Sequence, residues 1–213
     1  MPGWKSRCPS NERRETNVIT KIKNMWRGAL LVWGPSKIKR ERWNSEFSQG
    51  RWNQLEQTAG DCVYECVEKH CRGGILDLGC GSGNTGCELA AAKYRDYTGV
   101  DISVVAVQQA TVRNKTAGRD GQNRNLQADI TTYVPTQKYE VILFRESLCY
   151  LSHHKIAATL ARYKPYLTDA GVFVVRLWNR ERYRDILQLI ESSRTVLERH
   201  TPATSPVVVI VFR

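Results

Sequence analysis

A glycine-rich turn is the part of this sequence that points most directly to chemistry. Residues 75–86 read ILDLGCGSGNTG, so an apolar strand leads into Gly79, Gly81 and Gly83 before a helix begins. Glycines in such a turn allow positive φ angles and let the backbone approach a ligand without an intervening Cβ. The unpaired N–H groups at the start of the next helix add hydrogen-bond donors. The turn therefore predicts a site for phosphates or for the polar end of a nucleoside cofactor.

An acidic residue follows at the distance that a ribose site requires. Asp101 lies 20 residues after Gly81, at the end of the next predicted strand. A carboxylate at that position accepts hydrogen bonds from both hydroxyls of a ribose. Together, the turn and Asp101 indicate a cofactor that contains adenosine.

Two classes of cofactor remain open on these residues alone. Gly81, Gly83 and Gly86 match G-x-G-x-x-G, the fingerprint of dinucleotide-binding enzymes, so an NAD-binding oxidoreductase is one candidate. Asp77 argues against it, because a carboxylate two residues before Gly79 repels a pyrophosphate and suits an ammonium or sulfonium group. A protein that binds its cofactor without catalysing a reaction is a further alternative for the function.

The elements that must hold these residues alternate along the chain from residue 74. Apolar runs predict strands at 74–78, 97–101, 125–129, 139–144 and 171–177, with helices at 84–93, 103–116, 153–166 and 180–192. This alternation is typical of α/β proteins, in which helices cover both faces of a parallel sheet. Residues 192–201 and 206–213 differ, because they read as two strands joined by a short turn. This hairpin predicts that the last strand is antiparallel and leaves no second domain for a hydride acceptor.

The net charge of +11 is concentrated at the N-terminus. Residues 1–42 contain 11 Lys and Arg against three acidic residues, a balance of +8, which leaves +3 for residues 43–213. A uniformly basic nucleic-acid-binding module has a different distribution. We therefore predict a basic leader over 1–42 and a catalytic domain over 43–213.

These two regions are predicted to have the following parts. The leader contains an amphipathic helix at 20–33 and a charged link at 37–42, whereas the domain has a lid and helix at 43–73 before a core at 74–213. The helix within 43–73 is expected at about 58–71.

Two features of the sequence indicate where in the cell the protein is located. The chain has seven cysteines, and it has no apolar run long enough to cross a membrane. The cysteine count is odd and no secretory segment begins the chain, so we expect no disulfide framework and a cytoplasmic location. Cys62, Cys66 and Cys71 lack the C-x2-C pairs of zinc sites, and we predict no metal.

Five segments resemble, in order, the successive motifs of class I S-adenosylmethionine-dependent methyltransferases. They are LDLGCGSG, YTGVDIS (97–103), LQADI (126–130), YEVILFRESLCYL (139–151) and LTDAGVFVVRL (167–177). The resemblance implies an α/β fold with a single Rossmann-like, doubly wound sheet of seven strands in the order 3-2-1-4-5-7-6. It also implies S-adenosyl-L-methionine as the cofactor and S-adenosyl-L-homocysteine as the product.

The resemblance further implies which residues contact the cofactor. They are Asp77, Gly79, Gly81, Gly83, Asp101, Ile102, Asp129, Ile130 and Phe144. The three glycines back the methionine moiety, with Asp77 near its amino group, and Asp101 holds the ribose. Asp129 accepts a hydrogen bond from the adenine amino group, while Ile102 and Ile130 pack against the adenine. Phe144 lines the cofactor on its substrate side.

The methyl acceptor is expected in the crevice at the carboxyl ends of the strands. Glu146 and His153 are the candidate catalytic residues, because a hydroxyl acceptor needs a general base at neutral pH. For Glu146, pairing with Arg145 or Arg176 is the structural alternative, and His153 has the alternatives of capping its helix or facing solvent. The candidate substrate-binding residues are Trp52, Arg145, Tyr150 and Arg176.

A narrower resemblance concerns the nature of the acceptor. FRESLCYL is similar to the F-N-E-x-L-Y-Y-L run of small methyltransferases from polysaccharide and glycan clusters, and WNSEFSQGRWNQLE is similar to their W-x3-F/Y-x2-G-x-W-x2-L lead-in. Arg145 and Cys149 depart from that pattern. The resemblance implies methylation of a hydroxyl on a small-molecule or glycan-like acceptor. The aromatic lead-in predicts a lid built from Trp43, Phe47, Trp52 and Leu55, with Gly50 as its pivot.

The basic leader has three interpretations. Residues 20–42 could contact an anionic membrane surface peripherally, which suits a lipid-linked glycan acceptor. A basic arm could instead bind nucleic-acid phosphates, which makes an RNA methyltransferase the alternative function. No N-P-P-Y-like tetrad follows the fourth strand, which weighs against methylation of bases. The third interpretation is a solubilising tail with one docking helix and no partner.

Overall fold

Apolar runs that are buried along their whole length build the centre of this protein. The structure, a computed structural model, describes residues 34–52 and 60–213. Seven strands form one sheet: β1 Gly74–Leu78, β2 Asp96–Asp101, β3 Asn123–Gln127, β4 Tyr139–Arg145, β5 Leu167–Leu177, β6 Val196–His200 and β7 Val208–Phe212. Their order is β3-β2-β1-β4-β5-β7-β6, and β7 is antiparallel to both of its neighbours, whereas the other pairs are parallel. The predicted fold class and strand order are confirmed.

Six α-helices lie within the described ranges. They are α1 Ser36–Ser48, α2 Cys62–His70, α3 Asn84–Glu88, α4 Val104–Thr116, α5 His153–Tyr163 and α6 Arg184–Ser193. Asp61 begins α2, because its carboxylate accepts a hydrogen bond from the Val63 N–H at 3.1 Å. None of these helices combines the length and the apolar character that crossing a bilayer demands.

The core lies on both faces of the sheet. On one face, Val63 and Val67 of α2 pack with Val141 and Val174 of the central strands. The other face is covered by α5 and α6, whose apolar side chains pack on alternate residues of the same strands. Alternation places successive strand side chains on opposite faces, so a strand buried on both faces must be apolar throughout. This is why β1, β4 and β5 stand out in the sequence.

Several predicted boundaries are wrong, and the largest error concerns α1. Residues 37–42, predicted as a charged link, form the first half of this helix. The helix buries the polar side chains of Lys39 and Glu46, so no apolar stripe marks it in the sequence. It runs through residue 42, whereas the division of the chain at that point stays a prediction. The predicted helix at 20–33 and Leu55 lie outside the described residues.

Smaller differences concern four other elements. The strand predicted at 125–129 is β3, two residues earlier, and the helix predicted at 84–93 ends at Glu88. The helix predicted at 153–166 ends at Tyr163 and continues as a 3-10 turn, and the helix predicted at 180–192 begins only at Arg184. None of these shifts changes which elements meet at the carboxyl edge of the sheet.

Candidate active site

A cavity opens at the carboxyl edge of the sheet, between the ends of the central strands and α1. It encloses about 1210 Å³ of empty space, its open mouth included. The lining includes eleven of the predicted site residues: Trp52, Gly79, Gly81, Asp101, Ile102, Asp129, Ile130, Arg145, Glu146, Tyr150 and Arg176.

The glycine turn has the backbone conformation that its sequence predicts. Gly79 and Gly83 have φ angles of 89° and 80°, in the region that disfavours residues with a Cβ. The N–H groups of Gly79 and Cys80 both donate to the carbonyl of Val100, at 2.7 and 3.1 Å, and so fix the turn to β2. A Cβ at Gly79 would lie 2.5 Å from the Cβ of Ser147. Gly79 lines the cavity, whereas Gly83 lies behind the turn against α4.

Asp101 ties the turn to the end of β2. Its Oδ2 accepts a hydrogen bond from the Gly81 N–H and its Oδ1 accepts one from the Ser103 N–H, both at 2.9 Å. Burial raises the pKa of Asp101 to about 6, although the two N–H groups favour the carboxylate. Each oxygen keeps a second lone pair, so the side chain can also accept from the hydroxyls of a ribose.

We expect Asp101→Asn to weaken the binding of S-adenosylmethionine about tenfold to a hundredfold, since hydrogen bonds to a charged group contribute roughly 1.5–3 kcal/mol. Calorimetric titration of the full chain with S-adenosylmethionine and, separately, with NAD measures this. Asp169→Asn is the matched control, because Asp169 is exposed at the start of β5. Tight NAD binding without a signal from S-adenosylmethionine would contradict the cofactor assignment.

Asp77 lies beneath the turn and does not line the cavity. Its side chain is fully buried, and Oδ2 accepts a hydrogen bond from the Tyr97 hydroxyl at 2.6 Å. Oδ1 accepts no hydrogen bond from any residue in the described part of the chain. Burial raises the pKa of Asp77 to about 6, against the opposing effects of Tyr97 and Arg145. The predicted contact with the cofactor amino group is therefore not made directly from the cavity wall.

Asp129 and α1 form another side of the cavity. The Ser36 hydroxyl donates to Asp129 Oδ2 at 2.6 Å, and Thr131 donates twice to Oδ1, from its N–H at 2.8 Å and its hydroxyl at 2.7 Å. Burial by itself would raise the pKa of Asp129, but these hydrogen bonds outweigh it and hold the pKa below its usual range. Lys39 lines the same side, and burial lowers the pKa of its ammonium group. Neither Ser36 nor Lys39 was predicted as a site residue, because both lie in or beside the stretch predicted as a link.

Acidic groups dominate the cofactor half of the cavity. Asp101 and Asp129 line it and Asp77 lies just behind the turn. A pyrophosphate would be repelled here, whereas a ligand with an ammonium and a sulfonium group would be stabilised. The residues present therefore fit S-adenosylmethionine. The roles of Asp101 toward the ribose and of Ile102 and Ile130 toward the adenine stay predictions.

Four aromatic rings form the wall next to this half, and we call them the aromatic wall: Trp43, Phe47, Trp52 and Tyr150. Trp43 is their centre, with its ring centroid 4.8 Å from Tyr150, 5.5 Å from Trp52 and 6.1 Å from Phe47. Such edge-to-face and tilted contacts stabilise ring clusters beyond the area that they bury. Three of the four predicted lid residues thus lie together, and the wall excludes water from one side of the cavity.

A cluster of charged side chains completes the cavity. Glu146 is paired through Oε1 with Arg176, whose Nη2 also lies 2.9 Å from Asp61 Oδ2. Arg145 Nη2 lies 3.8 Å from the same Asp61 oxygen. Asp61 was missed in the sequence, where its only signal is its position as the first residue before α2. The cluster holds two acids and two bases, so its charges balance.

Glu146 is unusual in both its backbone and its carboxylate. Its φ of 58° makes it the one non-glycine residue with positive φ among those described. Its Oε2 is buried and accepts no hydrogen bond within residues 34–52 and 60–213. Burial raises the pKa of Glu146, although Arg176 opposes the rise. Strained backbone and an unpaired buried oxygen are features that functional sites retain at a cost in stability.

Besides Asp77 and Gly83, two further predicted residues lie away from the cavity, which corrects their expected roles. His153 begins α5 as predicted, but its side chain is 57% exposed and its Nε2 lies 2.7 Å from Asp185 Oδ2 on α6. Phe144 is fully buried against Tyr163 and Phe173, because alternation along β4 directs it into the core and directs Arg145 to the opposite face.

Within the described ranges, no group of three His, Cys, Asp or Glu side chains is arranged to hold a metal ion. The six cysteines in those ranges are free thiols.

One family model matches part of the core. Residues 75–171 match the family model described as "Methyltransferase domain". No curated protein matches this chain. The matched segment runs from the glycine turn to the early part of β5 and so contains most of the cavity-lining strand ends.

Solved structures share the fold. An S-adenosylmethionine-dependent methyltransferase from Clostridium acetobutylicum ATCC 824 is 14% identical, with 79% of this chain and 98% of that chain covered and a TM-score of 0.62. Magnesium protoporphyrin IX methyltransferase from Synechocystis PCC 6803, solved with S-adenosylmethionine, is 17% identical over 84% and 96%, with a TM-score of 0.64. The N-methyltransferase NodS from Bradyrhizobium japonicum WM9, solved with S-adenosyl-L-homocysteine, is 18% identical over 78% and 87%, with a TM-score of 0.57. At these identities the likeness establishes the fold, and the resemblance to class I methyltransferases is confirmed.

Proposed function

We propose that this chain, which carries a methyltransferase domain on the class I S-adenosylmethionine-dependent fold, transfers a methyl group to a hydroxyl of a small-molecule or glycan-like acceptor. The cavity supports the two halves of this proposal separately. Its acidic half, with Asp101 and Asp129, suits the cofactor, and its aromatic wall suits a ring-containing acceptor. We place the enzyme in the cytoplasm.

The single observation that carries the hydroxyl assignment is the carboxylate of Glu146. The bound cofactor would supply a methyl group activated by the positive charge on its sulfur. A hydroxyl attacks poorly unless its proton is removed, and an amine that is already neutral needs no such help. Glu146 has one oxygen held by Arg176 and one buried oxygen that accepts no hydrogen bond from the described residues, so it can take the proton. Its raised pKa brings its basicity closer to neutrality.

The neighbouring residues would position the reaction. Arg176 fixes the Glu146 carboxylate, and Asp61 in turn fixes Arg176. The aromatic wall and the glycine turn exclude water and orient the two reactants for in-line attack, which is the main contribution a protein makes to such a displacement. With the cofactor bound, the bond from methyl carbon to sulfur would break as the bond from oxygen to carbon forms, and Glu146 would take the hydroxyl proton.

The test supplies the purified full chain with S-adenosylmethionine that carries a labelled methyl group, together with lipid, glycan, RNA and protein fractions of a cell extract. We expect label in the glycan or small-molecule fraction, in a product that NMR identifies as an O-methyl group. Label in the lipid fraction would place the acceptor on a membrane, as the basic residues at 20–42 suggest. The Asp101→Asn variant is the control for cofactor-dependent transfer. Label in RNA, or an N-methyl product, would refute the proposal.

A further inference from the structure

Three residues form an aromatic shelf next to the cavity: the exposed Trp178 and Arg182 and the partly buried Tyr183. Trp178 directly follows β5, two residues after the cavity-lining Arg176, and is 44% exposed. Its indole N–H donates to the Tyr183 hydroxyl at 3.1 Å, and the two rings meet edge to face with centroids 6.1 Å apart. The Arg182 guanidinium carbon lies 5.7 Å from each ring centroid. The shelf therefore presents two rings and one cation on a single patch.

The shelf rests on a firmly bonded loop. The Asn179 side-chain oxygen accepts hydrogen bonds from the N–H groups of Glu181 and Arg182, at 3.1 and 2.9 Å. Arg180 attaches the loop to the turn before β7, because its N–H donates to the Pro206 carbonyl and its guanidinium to the Ser205 carbonyl. Large aromatic side chains contribute most to stability when they are buried. A fixed, half-exposed tryptophan therefore contributes less to stability than a buried one would, and its ring is accessible to a ligand.

The shelf adjoins the part of the cavity assigned to the acceptor. The Glu146 N–H donates to the carbonyl of Arg176, two residues before Trp178, at 3.1 Å. On the other side, Tyr183 contacts Cys149, the residue before Tyr150 of the aromatic wall. A ligand that reaches Glu146 can therefore extend over the rings of Trp178 and Tyr183.

Arg182 supplies a charge that nothing on the described protein surface balances. Its neighbours are used otherwise: Arg184 pairs with Glu181 at 2.5 Å, and Arg180 binds the carbonyl of Ser205. The Arg182 guanidinium contacts the two rings and, among the described residues, no carboxylate. A guanidinium held in this way favours an anionic group on a ligand that stacks against the same rings.

We propose that the aromatic shelf is an outer acceptor subsite, which binds a sugar ring that carries an anionic substituent and lies beyond the ring being methylated. This inference rests on the proposed function and narrows its acceptor to an acidic glycoside of at least two rings. Trp178 and Tyr183 contact the ring, and Arg182 pairs with its carboxylate or phosphate group.

Binding to the shelf can be tested without catalysis. The indole N–H signal of Trp178 in a 1H–15N spectrum of the full chain is assigned by its absence in Trp178→Phe. Methyl β-D-glucuronide is the acidic probe, methyl β-D-glucoside is its neutral counterpart, and sodium acetate reports on the charge alone. We expect saturable movement of the Trp178 signal with the glucuronide, at a concentration about two- to fivefold lower than with the glucoside.

Arginine variants separate the shelf from its surroundings. Arg182→Gln should remove the preference for the glucuronide, whereas Arg184→Gln should retain it. An unmoved Trp178 signal with both sugars, an equal response to acetate, or an unchanged preference in Arg182→Gln would each overturn the proposal. These experiments measure binding only. The shelf proposal can therefore be refuted while O-methyl transfer is supported, and O-methyl transfer can be refuted while sugar binding to the shelf is supported.

Discussion

We expect Glu146→Gln to lower kcat for methyl transfer by about a hundredfold to ten-thousandfold, the range that general bases contribute. Glutamine has nearly the shape of glutamate and can still accept from Arg176, but it cannot take a proton from a hydroxyl. The affinity for S-adenosylmethionine should change little, because we expect the cofactor to contact Asp101 and the glycine turn and not Glu146. Initial rates and calorimetric titration on the same preparations separate the two effects.

The pH dependence of kcat gives a second test of Glu146 as the general base. Only the ionised carboxylate can accept the proton, so kcat should fall as the pH is lowered through the pKa of Glu146. Since burial raises that pKa, the decline should begin at a higher pH than an ordinary glutamate would give, and it should be absent from Glu146→Gln. Glu191→Gln is the matched control, because Glu191 pairs with Arg199 on the surface between α6 and β6. Full activity of Glu146→Gln with the acceptor would eliminate Glu146 as the base.

Gly83→Ala should be the most damaging small substitution in the turn. A Cβ at this position would lie 2.6 Å from the Cβ and 2.9 Å from the Cα of Ala110 in α4, and the φ of 80° disfavours any L side chain. The clash involves backbone, so the turn must move away from α4. We expect the free energy of unfolding to fall by about 2–5 kcal/mol, from overpacking and backbone strain together. Binding of S-adenosylmethionine should be lost at concentrations that saturate the unmodified chain.

Gly118→Ala isolates the backbone part of this effect. Gly118 has a φ of 65°, but a Cβ there meets no atom within 4 Å. Urea denaturation should therefore show a loss of about 1–2 kcal/mol, with cofactor binding retained. Equal losses in the two variants would mean that α4 yields to the new methyl group and that the turn does not depend on this contact.

The cofactor half of the cavity could be predicted because its signals are local. The glycines of the turn directly follow one apolar, buried strand, and Asp101 ends the next one. Because such strands can be recognised in the sequence, the polar or glycine residue at the end of each of them can be placed at the edge of the sheet. The predicted place of Phe144 beside the cofactor was wrong, because successive residues of β4 face opposite sides of the sheet and Phe144 faces the core. His153 failed for a similar reason: its place at the start of α5 was correct, but the helix directs it toward Asp185.

The remaining residues of the cavity depend on contacts between distant parts of the chain. Asp61 meets Arg176 across more than a hundred residues, and nothing near Asp61 in the sequence announces that contact. Lys39 and Ser36 lie on or at the start of a helix that buries charged side chains, which the apolar pattern of a sequence cannot reveal. The positive φ of Glu146 is likewise a property of the assembled site, since glutamate has no intrinsic preference for it.

Helix α1 has a consequence for the order of events in a catalytic cycle. Its Ser36 donates a hydrogen bond to Asp129, and its Asn44 accepts one from Ser103. Its Phe47 lies next to Gly81 of the glycine turn, and its Trp43 belongs to the aromatic wall. One element thus borders both parts of the cavity. On the proposed function we expect both products to leave past this helix, so that their residence times would be coupled through its opening. Where such an opening is slower than the chemical step, turnover reports the departure of products and hides the speed of methyl transfer itself.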